Sequence, residues 1–242
     1  MTLLARHRLG LLAELAVVLL LNFTLVNATQ WLTGLLHLPF PELILLRHAY
    51  MYFVLTIAVA SWVVLRGESL ADLGLVVPKR WLVLIGRALL LFVAIVVFEV
   101  IASAFIDPII VRVTGTHANM GEQYFASLKG NFGLFLYLLP FTWVFGGLGE
   151  ELLFRGFVMT RIAQVLGDGR AAWIAAVVLQ GFVFALGHGY QGPVGMFGAG
   201  MIGIIYAVGT VAWGRNLWPA IVAHGLFDSF AFFLMYTGII HA

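Results

Sequence analysis

Apolar runs of about twenty residues recur from Leu9 to the end of this chain, broken only by short turn-forming stretches. A helix needs roughly 20 apolar residues to cross a bilayer. Candidate spans lie at 9–28, 47–65, 83–106, 132–153, 171–188, 194–213 and 218–240. The breaks hold Pro39-Phe-Pro41, Pro78-Lys-Arg80, Gly167-Asp-Gly169, Gly189-Tyr-Gln-Gly-Pro193 and Gly214-Arg-Asn-Leu-Trp-Pro219. Of the 242 residues, 62% are hydrophobic and 10% charged, against about 25% charged in a soluble domain. A soluble fold of this size has nowhere to bury so much apolar surface. The expected fold class is all-α, a polytopic transmembrane helix bundle of seven spans. A short or re-entrant helix near 109–128 is the alternative eighth element.

The basic residues predict the orientation. With the N-terminus in the cytoplasm, Arg6, Arg8, Arg66, Lys79, Arg80, Arg87, Arg155, Arg161, Arg170 and Arg215 fall on the cytoplasmic side, and only Arg47, Arg112 and Lys129 fall outside. The basic start Met1–Arg8 and the apolar run after it resemble a signal peptide, with Val26-Asn27-Ala28 as an acceptable cleavage site. The run exceeds the usual ~7–15-residue signal core and more spans follow, so an uncleaved first helix is expected. Lipid bilayer is thus an expected partner, and the plasma membrane the expected location. A net charge of +2, spread over loops, gives nucleic-acid binding no support. The absence of cysteine excludes disulfides and thiolate metal sites. The apolar character is continuous, which suggests one membrane domain over 1–242. Within it, 1–130 supplies accessory helices and 131–240 holds nearly all the chemistry.

That chemistry lies in three clusters: Glu150-Glu151-Leu-Leu-Phe-Arg155, Phe184-Ala-Leu-Gly-His188 and His224-Gly-Leu-Phe-Asp228. Ionisable groups are costly in a bilayer and mark functional sites there by default. Each cluster also has a plainer reading. Glu150 and Glu151 follow Gly146-Gly147-Leu148-Gly149, so they suit an acidic first turn with Arg155 as the i,i+4 partner of Glu151. That explains one carboxylate well and the other poorly, because adjacent side chains on a helix point about 100° apart. Glu150 is then the candidate general base and Glu151 the structural partner. His188 suits an interfacial helix end. His224 and Asp228, one turn apart, suit either a hydrogen bond that packs helices or a carboxylate-oriented imidazole. Gly167-Asp168-Gly169 lies midway between Glu150 and His188. A helical hairpin with its tip there puts both about 28 Å from the turn, with His224 about 12 Å from the Arg215 loop. The levels agree if the hairpin tip projects about a dozen ångströms beyond that loop. The site then lies within the membrane toward its cytoplasmic face.

Glu-Glu-x-x-x-Arg, then Phe-x-x-x-His, then His-x-x-x-Asn/Asp resembles the CPBP family of CAAX proteases and bacteriocin-processing enzymes. Glu-Glu-Leu-Leu-Phe-Arg-Gly and Leu-Trp-Pro-Ala-Ile-Val-Ala-His are similar to the same family, and the resemblance covers about 132–235. It implies an intramembrane endopeptidase acting near the C-terminus of a membrane-associated or prenylated protein. By motif, Glu150 activates water and His188 assists or binds it, while His224 and Asp228 stabilise the oxyanion. Glu151, Arg155 and Phe184 support the geometry. An ionised aspartate cannot donate to an oxyanion, so Asp228 must be protonated, bind a metal or orient His224. Glu150, His188, His224 and Asp228 are adequate in kind to hold a divalent metal such as zinc. His-Glu-x-x-His is absent, so a zincin-type site is not expected.

Other polar residues have structural readings. Glu99 suits a hydrogen bond within the bundle, and Glu14, Arg47 and His48 suit an interface. His7, His37, His117 and His241 suit loops or termini, and Trp31, Trp62, Trp81, Trp173 and Trp218 suit aromatic belts. Gly195, Gly198, Gly200, Gly203 and Gly209 allow close helix contact, with Gly195 and Gly203 near the site. Two rivals to a peptidase are a proton- or ion-coupled transporter and a non-catalytic scaffold or immunity factor of the same fold. No inverted repeat or pair of broken helices supports the transporter.

Overall fold

The computed structural model describes residues 3–36, 41–116 and 126–240, with the side chains of 3–6, 26–27, 29–52 and 126 left out. His37, His117, His241, most of the Pro39-Phe-Pro41 break and the side chains of Arg6, Trp31, Arg47 and His48 lie outside the described residues. All regular structure described is helical. The helices are α1 (Leu3–Leu36), α2 (Pro41–Leu65), α3 (Trp81–Thr114), α4 (Phe132–Leu166), α5 (Arg170–Gly187), α6 (Gly192–Ala212) and α7 (Trp218–Thr237). Six have described segments long and apolar enough to cross a membrane, and the described part of α2, Phe53–Leu65, is a shorter apolar helix. Leu82, Leu65, Val113, Phe105 and Leu20 turn outward, as an apolar solvent requires.

Several helices outrun the expected spans because helix ends follow breakers rather than hydropathy. No proline interrupts α1 before Pro39. α4 continues past residue 153 until Gly167, which takes φ +107. α3 continues through 109–114 and ends at Gly115 in the left-handed region. Residues 109–114 therefore belong to the third helix and not to a separate eighth one; 117–125 lie outside the described residues. The breaks at Pro78-Lys-Arg80, Gly167–Gly169, Gly189–Gly192 and Gly214–Arg215 fall where the turn chemistry put them.

Two helices change their winding. α3 is π-helical over Ala102–Ile106, and α4 over Thr142–Val158. A proline lies beside each, Pro108 and Pro140. Proline has no N–H, so the carbonyl four residues before it loses its usual donor. In α4 the i→i+5 pattern persists through Gly146, Gly147 and Gly149 and past both glutamates. π-helical turns are rare, usually single, and frequent at functional sites.

The π-helical stretch is the centre of the bundle. α7 and α2 pack against it, α3 packs on α7, and α5 pairs with α6. The Thr56 hydroxyl of α2 donates to the Gly149 carbonyl at 3.2 Å. The core includes Val63, Leu153, Phe157, Val158, Ala176, Ala207 and Leu217. A Cβ at Gly147 would lie 2.9 Å from the Ile221 carbonyl oxygen, and one at Gly225 2.6 Å from Trp143. These contacts let α7 approach the backbone of α4.

The end of the bundle near Arg66 and Arg215 is polar. Arg161 is buried and bonds Glu68 at 2.7 Å and Gln164 at 2.9 Å, with Glu14 at 3.3 Å. Glu14 also pairs with Arg66. Arg155 and Arg161, read from sequence among the cytoplasmic charges, are thus buried inside the bundle. Nearby, the Ser69 N–H and hydroxyl donate to Asp72 and hold its carboxyl below the ordinary range. A polar cavity of about 570 Å³ opens here, lined by His7, Arg66, Asp72, Arg161 and Arg215. Trp62 and Trp81 are exposed at helix ends, as belts require. Trp173 instead donates to Asp168 at 2.8 Å under the Arg215 guanidinium, and the buried Trp218 indole nitrogen faces inward.

The close approach of α4 and α7 makes a pair of opposite predictions. Gly147→Ala should destabilise the protein by about 1–3 kcal/mol through overpacking. Gly86→Ala, on an open face of α3, should stabilise it by about 0.5–1 kcal/mol. Melting temperatures in detergent, falling for the first and rising for the second, check both.

Candidate active site

Glu151 is fully buried, and its Oε1 holds two partners. Arg155 Nη1 donates to it from one turn away at 3.0 Å, and His224 Nδ1 of α7 donates at 2.8 Å. The bond to Arg155 is the one the spacing predicts. The bond to His224 is new, because it joins two motifs 73 residues apart. A carboxylate can only accept, so His224 Nδ1 carries a proton, and Nε2 is the nitrogen turned toward the other carboxylates. Asp228 Oδ2 lies 3.5 Å from Nε2, and Glu150 Oε2 lies 4.0 Å from it.

The adjacent glutamates therefore have different surroundings. The Glu150 side chain keeps 19% of its exposure and makes no hydrogen bond among the described residues. Space for this meeting comes from Gly146. A Cβ there would lie 2.7 Å from Asp228 Oδ2 and 3.6 Å from His224 Nε2.

Arg155 links the first cluster to the second. Its guanidinium lies 4.2 Å from the Phe184 ring centre and 5.4 Å from that of Tyr206. Its Nε donates to the Gly203 carbonyl at 3.4 Å, which also accepts from Gln180 Nε2 at 3.0 Å. A Cβ at Gly203 would lie 2.9 Å from Arg155 Nη2, so glycine is required for this seat. Phe184 also meets Phe154 edge-on at 4.9 Å. A Cβ at Gly195 would meet the Gln191 side chain, one turn earlier.

His188 caps α5 beside Phe184, with ring centres 4.5 Å apart. Its Nδ1 donates to the Phe184 carbonyl at 2.9 Å, so in the neutral ring Nε2 keeps a lone pair. Among the described residues His188 makes no hydrogen bond to Glu150 or His224. Between Glu150 and Val158 α4 is π-helical, and more residues per turn shorten its rise per residue. Arg215 sits 5.2 Å from Trp173, one turn into α5, so the hairpin tip lies beside the Arg215 loop.

Among the described residues no group of three or more His, Asp or Glu side chains is arranged to hold a metal ion. Glu99, read as a bundle hydrogen bond, has none among the described residues, and its Oε1 faces Gly198 of α6. Sequence reading missed Thr56, Gln180 and Tyr206. For the last two the signal was a polar group on an otherwise apolar helix face opposite a motif.

Glu151→Gln should leave Arg155 buried without its charge partner, at a cost of about 3–5 kcal/mol. A large fall in melting temperature in detergent checks this. Residues 132–230 match the family described as Type II CAAX prenyl endopeptidase Rce1-like. No curated protein and no solved structure matches the chain. Over 132–230, therefore, this integral membrane chain matches a Rce1-like family model, which supports a place among the CPBP intramembrane proteases.

Proposed function

We propose that the chain hydrolyses a peptide bond near the C-terminus of a membrane-associated, prenylated protein. The observation that carries this reading is the asymmetry of the glutamate pair. Glu151 Oε1 accepts from Arg155 and His224, whereas Glu150 makes no hydrogen bond among the described residues and reaches toward His224 Nε2. A free carboxylate beside an oriented imidazole suits a general base.

In this mechanism a water sits against Glu150, which takes its proton as the oxygen attacks the substrate carbonyl. His188 accepts a second hydrogen bond from that water through Nε2 and so aims it. His224, protonated on both ring nitrogens, presents its Nε2–H to the carbonyl oxygen. Glu151 holds its Nδ1–H and its tilt, as the buried aspartate does in carboxylate–histidine pairs. Asp228 supports the positive charge that His224 carries during attack. The proton on Glu150 then passes to the leaving amine. No step runs through a metal. The bundle keeps the site dry apart from the reacting water, which strengthens each of these electrostatic interactions.

The basic residues gathered around Arg66, Lys79, Arg80 and Arg215 support a cytoplasmic setting for that end of the bundle and a site that opens toward it from the plasma membrane. The substrate would bring its lipid anchor through the bilayer and its C-terminal peptide from the cytoplasmic face.

The test is cleavage of a fluorogenic prenylated peptide panel by protein purified in detergent. Wild type should cleave, and Glu150→Ala should lose at least about 10³-fold in kcat without losing its fold. Cleavage that survives in Glu150→Ala sinks the mechanism. Proton flux in liposomes without cleavage would make the chain a transporter instead.

A further inference from the structure

Tyr206 is buried in the site, and the mechanism above leaves it unused. Its ring lies on the His224 imidazole, with centres 5.1 Å apart and planes 21° from parallel. The Arg155 guanidinium carbon lies 5.4 Å from the same ring. The residue has no solvent exposure, yet its hydroxyl makes no hydrogen bond among the described residues. A buried polar atom without a partner is costly, and native proteins keep few of them.

Other buried atoms around it are also unpaired, namely Glu151 Oε2, Arg155 Nη2 and Gln180 Oε1. Each belongs to a side chain that already bonds through another atom. Thr210, one turn further along α6, also has an unpaired hydroxyl. Of the two, Tyr206 is the one stacked on a histidine of the site. Phenylalanine would fill the same space without the orphaned hydroxyl, so packing alone does not account for tyrosine here.

The donors of the site are scarce. Attack on a carbonyl places negative charge on its oxygen, which needs hydrogen-bond donors aimed at it. Glu150, Glu151 and Asp228 accept when ionised. Arg155 Nη1 and His224 Nδ1 are both spent on Glu151. With His224 as the imidazolium, that leaves its Nε2 proton, the Tyr206 hydroxyl and Arg155 Nη2, which packs beside Gly203 of α6.

We propose that Tyr206 is a further catalytic residue, whose hydroxyl donates to the substrate carbonyl oxygen beside His224 Nε2. This rests on the hydrolytic reading above. The hydroxyl keeps its proton throughout, and no bond other than the hydrogen bond forms or breaks at it. Its stack on His224 holds both donors in one rigid unit, and the stability cost of the unpaired hydroxyl is recovered only when substrate is bound.

Tyr206→Phe separates the hydroxyl from the ring. The expected result is a fall in kcat of about 10²–10³ with KM little changed. Its melting temperature in detergent should equal or exceed that of wild type, because the variant loses an unpaired buried group. A kcat within about threefold of wild type overturns the proposal, as does a loss confined to KM. A lowered melting temperature overturns it too, since it marks the hydroxyl as structural. Glu150→Ala runs in parallel: if it stays active, the hydrolytic reading fails, whereas an inactive Glu150→Ala beside a fully active Tyr206→Phe sinks Tyr206 alone. If wild type cleaves nothing, the hydrolytic reading fails, and an oxyanion role for Tyr206 falls with it.

Discussion

One buried oxygen, Oε1 of Glu151, organises this bundle. It accepts from Arg155 and from His224, and so ties α4 to α7 at the level of the candidate site. Burying a carboxylate, a guanidinium and an imidazole in lipid is costly, and the cost is offset only where the charges are paired and hydrogen-bonded. Here the pairing also does chemical work. It holds the Nδ1 proton of His224, and it turns Nε2 toward Glu150 and Asp228. Arg155 in turn spreads the order outward, lying against Phe184 and Tyr206 and donating to the Gly203 carbonyl.

The backbone makes room for this network. Pro140 and a glycine-rich stretch sit where α4 adopts its π-helical winding, and glycines at 146, 147, 203 and 225 let main chains and charged groups approach where a Cβ would collide. Water is absent from the surroundings, so every polar group must find a partner within the protein or wait for substrate. Thr56 meets the Gly149 carbonyl for this reason, and Gln180 meets that of Gly203. Glu150 and the Tyr206 hydroxyl are among the groups with no hydrogen bond among the described residues, and both border His224.

Much of this could be read in the sequence. Apolar runs and Gly/Pro breaks located the helices, and the i,i+4 spacing of Glu151 and Arg155 predicted their pair. What could not be read has physical causes. Helix ends overran the apolar windows because hydropathy marks lipid depth, while Gly115 and Gly167 mark where a helix stops. Depth counted at the α-helical rise per residue takes no account of the π-helical stretch in α4, which the apolar pattern does not reveal. Arg161 looked like a loop charge because its partners, Glu14 and Glu68, are far away in sequence. The Glu151–His224 bond and the Tyr206 stack are contacts between helices, which no local pattern encodes.

The central claim is that water is the nucleophile in a peptide hydrolysis carried out at this centre. Mass spectrometry of a prenylated peptide processed by the purified protein in oxygen-18-labelled water tests it most directly. The account predicts a released C-terminal tripeptide and one heavy oxygen in the new carboxylate of the prenylated fragment. An unlabelled fragment, or a peptide left intact by active-state protein, would contradict it.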